Sequence, residues 1–114
     1  MGKFDLENRT TEFAKSVIRI CKKLSRSPIN DRMVGQVAGS SGSIGANYRE
    51  ANDALGKKDF VQRMKISRRE AKETIHRLEL ILEANENLGK EIKPLIKECD
   101  ELKKILSAII EKSR

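Results

Sequence analysis

The sequence predicts an all-α chain, an antiparallel up-down-up-down four-helix bundle, and three observations carry that expectation. Charged residues make up 36% of the 114 positions and aromatics only 4%, with two prolines and no Trp. A chain so rich in Ala, Glu, Lys, Leu, Arg and Ile favours helices over strands. Apolar or small residues recur at alternating spacings of three and four in each quarter of the sequence, which is helical periodicity. The breaks between these stripes are short, which makes successive helices neighbours of opposite direction. A chain of this length forms one domain, 1–114, and can bury a core of its own.

The first helix spans about 5–25, with Leu6, Thr10, Phe13, Val17, Ile20 and Leu24 on its stripe. Ser25-Arg26-Ser27-Pro28 ends it, because Pro28 has no N–H to donate and drives Ser27 out of helical space. The second spans about 30–55, with Asn30 or Asp31 as cap and Val34, Val37, Ser41, Ile44, Tyr48, Ala51 and Leu55 as stripe. Gly56 interrupts the chain. The third helix, about 57–86, starts with Asp59 against its N-terminal dipole and carries Phe60, Met64, Ser67, Ala71, Thr74, Leu78 and Ile81. The fourth, about 91–112, begins at Glu91 to Lys93, since Pro94 is acceptable only in a first turn. Its stripe is Leu88, Ile92, Leu95, Cys99, Leu102, Leu106 and Ile109. Such seams pack helices near 20°.

The stretch Gly39-Ser40-Ser41-Gly42-Ser43-Ile44-Gly45 resembles a phosphate-cradling loop by composition alone. Neither G-x-x-x-x-G-K-[ST], G-x-G-x-x-G nor G-x-S-x-G is present, and no lysine lies between Arg32 and Lys57 to meet a phosphate. Gly35, Ala38, Gly42, Gly45 and Ala46 instead fall on and beside the second stripe. A helix accepts interior glycines, each costing roughly 1 kcal/mol against alanine, where another backbone must come close. The close neighbour is expected to be a helix of the same chain or of another subunit.

Other function classes are excluded on residue types. Cys21 and Cys99 make neither a disulfide framework nor a metal pair, and both sit at apolar helical positions as buried free thiols. No apolar run approaches the roughly 18 residues of a membrane span, and no leader with a hydrophobic core is seen. A soluble cytoplasmic protein with no membrane partner is expected. Glu73-x-x-His76 is similar to half of a di-iron carboxylate motif, but such sites need two pairs and two further glutamates facing inward. This chain has one histidine, and the third stripe turns Glu73 and His76 outward. No nucleophilic triad is supported either. The chain is expected to be no enzyme, with no metal and no cofactor.

The net charge of +7 and pI near 9.6 admit nucleic acid, acidic protein or anionic membrane as partner. Lys15, Arg19, Lys22, Lys23, Arg26 and Arg32 stand against the single acid Asp31. Lys57, Lys58, Arg63, Lys65, Arg68, Arg69 and Lys72 stand against Asp59 and Glu70, after which Glu73, Glu79, Glu83 and Glu86 reverse the sign. The second cluster is the first candidate for nucleic-acid contact; Arg19, Lys22, Lys23 and Arg26 are the second. With so few aromatics there is no stacking platform and no recognition helix, so binding would be to phosphates and weakly selective. A basic surface that serves solubility or a protein partner is the competing reading.

The blocks Ser41-Gly42-Ser43-Ile44-Gly45-Ala46-Asn47-Tyr48-Arg49-Glu50-Ala51, Lys58-Asp59-Phe60 and Lys65-Ile66-Ser67-Arg68-Arg69-Glu70-Ala71-Lys72-Glu73-Thr74 carry a resemblance. So do Phe13-Ala14, Val17-Ile18 and Gln36-Val37-Ala38-Gly39-Ser40. Together they resemble the four-helix-bundle family known from open reading frames within intervening sequences of 23S ribosomal RNA genes. Ala38-Gly39 departs from it, replacing larger apolar and basic residues. The resemblance implies a ring-like homopentamer with no established enzymatic activity. It also implies kinship with the basic pentameric accessory protein of diversity-generating retroelements, which works with a reverse transcriptase and nucleic acid. Fold transfers well along such a likeness and function poorly.

Periodicity gives its own sign of an oligomer but no subunit number. Ile66 and Leu80 point away from the third seam, while Ile75, Leu82, Ile96, Ile105 and Ile110 widen the apolar surface, which suits a subunit contact. Tyr48, Arg49 and Glu50 either join that contact or divide between seam and solvent. The reading is therefore a homo-oligomeric helical scaffold, pentameric by its resemblance, that binds RNA, DNA or a nucleic-acid-processing protein. The alternative is a protein-interaction or structural module that never touches nucleic acid.

Overall fold

Pro28 decides where the second helix starts. Its fixed φ suits the first helical position, and the Ser27 hydroxyl just before it accepts a hydrogen bond from the Asn30 N–H at 3.0 Å. Ser27, not Asn30 or Asp31, is thus the cap, and the helix begins two residues earlier than its stripe suggested. Ser27→Ala removes that acceptor and is expected to cost about 1 kcal/mol, read by chemical denaturation.

The computed structural model describes residues 2–114: α1 Lys3–Lys23, α2 Pro28–Asn52, α3 Lys57–Ala84 and α4 Gly89–Ser113, with a 3-10 turn Glu86–Leu88 before α4. Among the described residues there is no strand. The four helices pack into one bundle 45 × 22 × 19 Å in extent around one shared core. α2 stops at Asn52, where the Asp53 N–H turns onto the Arg49 and Glu50 carbonyls. Leu55 therefore leaves its expected seam and stands in the turn, 103% exposed. Pro94 lies inside α4 rather than in its first turn. The bond it forfeits is to the Lys90 carbonyl, near the start of the helix and at an exposed residue.

The core follows the stripes closely, with shifts at their ends. Met64, Ala71, Leu78 and Ile81 of α3 face Val37, Ile44 and Ala51 of α2 and Ile92, Cys99, Leu102 and Leu106 of α4, all nearly free of solvent. Ile110, not Ile109, closes the α4 seam at 0% exposure, and Val34, Phe60 and Leu88 are only half-buried. Cys99 is buried with its thiol toward the Ala71 carbonyl (3.3 Å), and burial pushes its pKa up to about 12. Cys21 is half-buried rather than buried, its pKa also raised by desolvation.

Polar groups inside the bundle are satisfied across helices. Ser67 donates to the Ile44 carbonyl at 2.7 Å, and Thr74 meets the Ser40 hydroxyl at 2.9 Å, which holds α2 close to α3. At the end where both turns meet, Asn30 and Asn85 exchange side-chain hydrogen bonds of 3.1 and 2.9 Å. Each also donates to a backbone carbonyl, of Ser25 and Ile81 respectively. Gly45 is the one glycine of α2 that another helix approaches. A Cβ there would lie 2.8 Å from the Thr10 hydroxyl of α1, whereas Gly35, Gly39 and Gly42 have nothing within 4 Å. Among the described residues, close packing within the chain therefore explains Gly45 and none of the other three.

Two cross-helix ties flank the α1–α4 seam. Arg9 grips Glu98 with two hydrogen bonds of 2.7 Å and reaches Glu101 with a third, while Lys23 pairs with Glu91 at 3.4 Å. The Arg9 hydrogen bonds hold the Glu98 carboxyl below its ordinary 4.5. A carboxyl depressed by folding stabilises the fold above its unfolded pKa and loses that contribution as pH falls through the folded value. Stability should therefore fall as pH drops below about 4.5, and Glu98→Gln should flatten that fall in a thermal-unfolding series against pH.

Candidate nucleic-acid interface

At 100° per residue, Lys58, Lys65, Arg69 and Lys72 fall within one narrow strip of α3, directly opposite the buried Met64, Ser67, Ala71 and Leu78. All four are exposed, and among the described residues none has an acidic partner within ion-pair distance. Gln62 and His76 continue the same strip and are exposed as well. The strip turns acidic beyond His76, where Glu79 and Glu83 follow on the same side.

The remaining members of the first cluster stand apart. Arg63 is half-buried on a different flank, with its guanidinium 3.9 Å from Asp59. Arg68 is half-buried toward the α4 side. Lys57, the first residue of α3, helps line an open groove of about 520 Å³ together with Lys58, Val61, Lys65 and Arg114. That groove carries the positive surface from the start of α3 to the end of α4.

The second cluster is less available. Arg26 is spent in a two-pronged pair with Asp31, at 2.8 and 3.2 Å, which holds Asp31 below the usual carboxylate range. Lys23 is turned to Glu91. Arg19 touches only the Ser16 hydroxyl at 3.5 Å, and Lys22 is exposed. Both partners, Asp31 and Glu91, lie outside α1. Asp31 was already visible as the one acid beside this cluster, but a charge count along the chain could not show that Glu91 of α4 meets Lys23. Conversely, His76 and Gln62 fell outside a count of cations, although the recurrence 58, 62, 65, 69, 72, 76 carries the signal.

Among the proposed interface residues, Tyr48 is corrected: it is 3% exposed and fills the seam of its own chain, its hydroxyl pKa raised by burial. Arg49 turns to α1 of the same chain, onto Glu7 at 3.1 Å and the Thr11 hydroxyl at 3.2 Å. Glu50 is exposed, Ile66 half-buried and Leu80 47% exposed. Ile75, Leu82, Ile96 and Ile105 pack against the core and Ile110 lies in it, so they widen the core rather than an outer contact.

The Glu73 carboxylate lies 3.9 Å from Arg77 and His76 is exposed. Among the described residues no three His, Cys, Asp or Glu side chains come together to hold a metal, and no helix is long and apolar enough to cross a membrane.

The profile of the 23S rRNA-intervening sequence proteins matches residues 3–108. The chain belongs to that family. A crystal structure of a protein of unknown function from the S23 ribosomal protein family of Bacteroides thetaiotaomicron is similar over nearly its whole length. It is 30% identical, with a TM-score of 0.84, over 97% of this chain and 99% of that one. No curated protein matches. For this member of the 23S rRNA-intervening sequence family, fold and kinship are thus settled together, and the α3 strip is a feature of its own surface.

Proposed function

We propose that the chain is a non-enzymatic, homo-oligomeric helical scaffold of the cytoplasm that holds nucleic acid, without sequence preference, on the basic strip of α3. The observation that carries this reading is the strip itself: Lys58, Lys65, Arg69 and Lys72 are exposed in line, and among the described residues no acid pairs with them. Unpaired cations in register bind polyanions by releasing counterions, a term blind to base sequence. The family's link to intervening sequences of ribosomal RNA agrees with a polyanionic partner.

The subunit is an antiparallel up-down-up-down bundle on this reading. Its short connections support that, and so do ties running in opposite order along α1 and α4, Arg9 to Glu98 and Lys23 to Glu91. Assembly is supported by the exposed small-residue face of α2 and by Ile18, Ile29 and Leu80, 47–64% exposed. Five subunits is the number implied by the family resemblance. A second reading, a protein-interaction module, is favoured by Leu55, which stands fully exposed beside Lys57 and Lys58 in the α2–α3 turn.

Replacing Lys65, Arg69 and Lys72 together by Glu should weaken binding of generic RNA or DNA by at least about tenfold at low salt. The matching change of Arg19 and Lys22 should weaken it less. Circular dichroism would show that the triple variant keeps its helices. A wild-type chain indifferent to both nucleic acids at low salt would leave the protein-interaction module standing.

A further inference from the structure

A basic strip takes more than one form of polyanion, and the surroundings of this one discriminate between them. Its cations are mounted on a single uninterrupted helix, so their spacing is rigid: Lys58 to Lys72 covers about 21 Å at 1.5 Å per residue. Single strands are flexible, and proteins that grip them without sequence preference add aromatic faces on which unpaired bases stack. None stands here. Phe13 and Tyr48 are in the core, Phe60 is half-buried against it, and the exposed Phe4 begins α1 with the Lys3 ammonium over its ring at 5.2 Å. A double helix keeps its bases stacked inside and offers phosphates at fixed positions, which cations mounted along one straight helix can meet without a stacking platform. The length fits too, since about 21 Å is well under the roughly 34 Å of one duplex turn, so a straight row need not follow the backbone around the axis. The acidic continuation at Glu79 and Glu83 limits the contact to the half of α3 near the α2–α3 turn.

We infer that the occupant of the α3 strip is double-helical nucleic acid, held by its phosphates alone through Lys58, Lys65, Arg69 and Lys72. This rests on the nucleic-acid reading above and narrows it to the duplex. RNA and DNA duplexes share the chemistry that the strip recognises.

The test measures affinity for a blunt 24-base-pair RNA duplex, the DNA duplex of the same sequence and each component single strand, over a salt series. Either or both duplexes should bind at least about tenfold tighter than their strands, and the arm that binds says which backbone geometry fits. With four phosphates neutralised, the logarithm of affinity should fall against the logarithm of salt with a slope of about −3.6. Lys65→Gln with Lys72→Gln should reduce that slope by about two. The exposed α4 pair Lys90→Gln with Lys97→Gln, equal in charge, should leave it unchanged. Single strands binding as tightly as the duplexes would overturn the inference while leaving nucleic-acid binding on the strip intact, and a slope that the α3 pair does not move would overturn the inference and the strip as the site. Binding to neither form at low salt would overturn both.

Discussion

Gly45→Ala lowers the stability of the fold by about 2 kcal/mol. An added Cβ would sit 2.8 Å from the Thr10 hydroxyl oxygen, 3.2 Å from the Thr10 Cβ and 3.8 Å from its backbone carbon. Thr10 cannot swing aside freely, because it is fully buried and its hydroxyl donates to the Leu6 and Glu7 carbonyls at 2.9 and 3.0 Å. Overpacking of this kind costs up to about 3 kcal/mol, and the better helix propensity of alanine returns about 1 kcal/mol. A double-mutant cycle with Thr10→Ala isolates the contact. Removing the hydroxyl should make the double variant more stable than Gly45→Ala alone, although Thr10→Ala by itself stabilises nothing. Equal stability of the wild type and Gly45→Ala in denaturant would show that α1 and α2 are not held this closely.

On the proposed homo-oligomeric reading, Gly39→Leu combined with Gly42→Leu should turn the proposed assembly into folded monomers. Gly35, Gly39, Gly42 and Ala46 lie on the outer face of α2, all exposed, with nothing within 4 Å of a Cβ at any of the three glycines. In an isolated chain that face is merely costly, and alanine at the three glycines would raise stability by about 1 kcal/mol each. If a neighbouring subunit lies on it, leucine blocks the approach and even alanine weakens assembly. Light scattering on the leucine pair and denaturation of the alanine triple therefore give answers of opposite sign. A larger, fully assembled and more stable alanine triple would mean that subunits meet elsewhere.

These two glycine results show where legibility ended. The spacing of Gly35, Gly42 and Gly45 marked α2 as a helix that something must approach. Period alone could not say that Gly45 faces α1 of the same chain while the others face outward, because a turn of about 100° per residue separates neighbours only once the core direction is known. Tyr48 shows the same limit: its seam position and its aptness for an interface were both readable, and only its burial in the shared core chose the seam. Leu55 failed because a stripe can run on past the point where the backbone turns away.

The basic site divides likewise. That α3 is polarised, with cations before Lys72 and carboxylates after it, is plain in the sequence. Which cations are free was not. Lys23 and Arg26 look as available as Lys22 in the chain, yet acids from α4 and from the start of α2 meet them.

By itself the sequence determined the all-helical class, the number of helices, most of the core and the family, because helical periodicity, turn chemistry and local motifs act over neighbouring residues. Only the tertiary structure decided which glycine is a contact, which aromatic is interior and which lysines remain unpaired. Those properties depend on groups far apart in the chain, such as Thr10 against Gly45 or Lys23 against Glu91, that folding alone brings within a few ångströms.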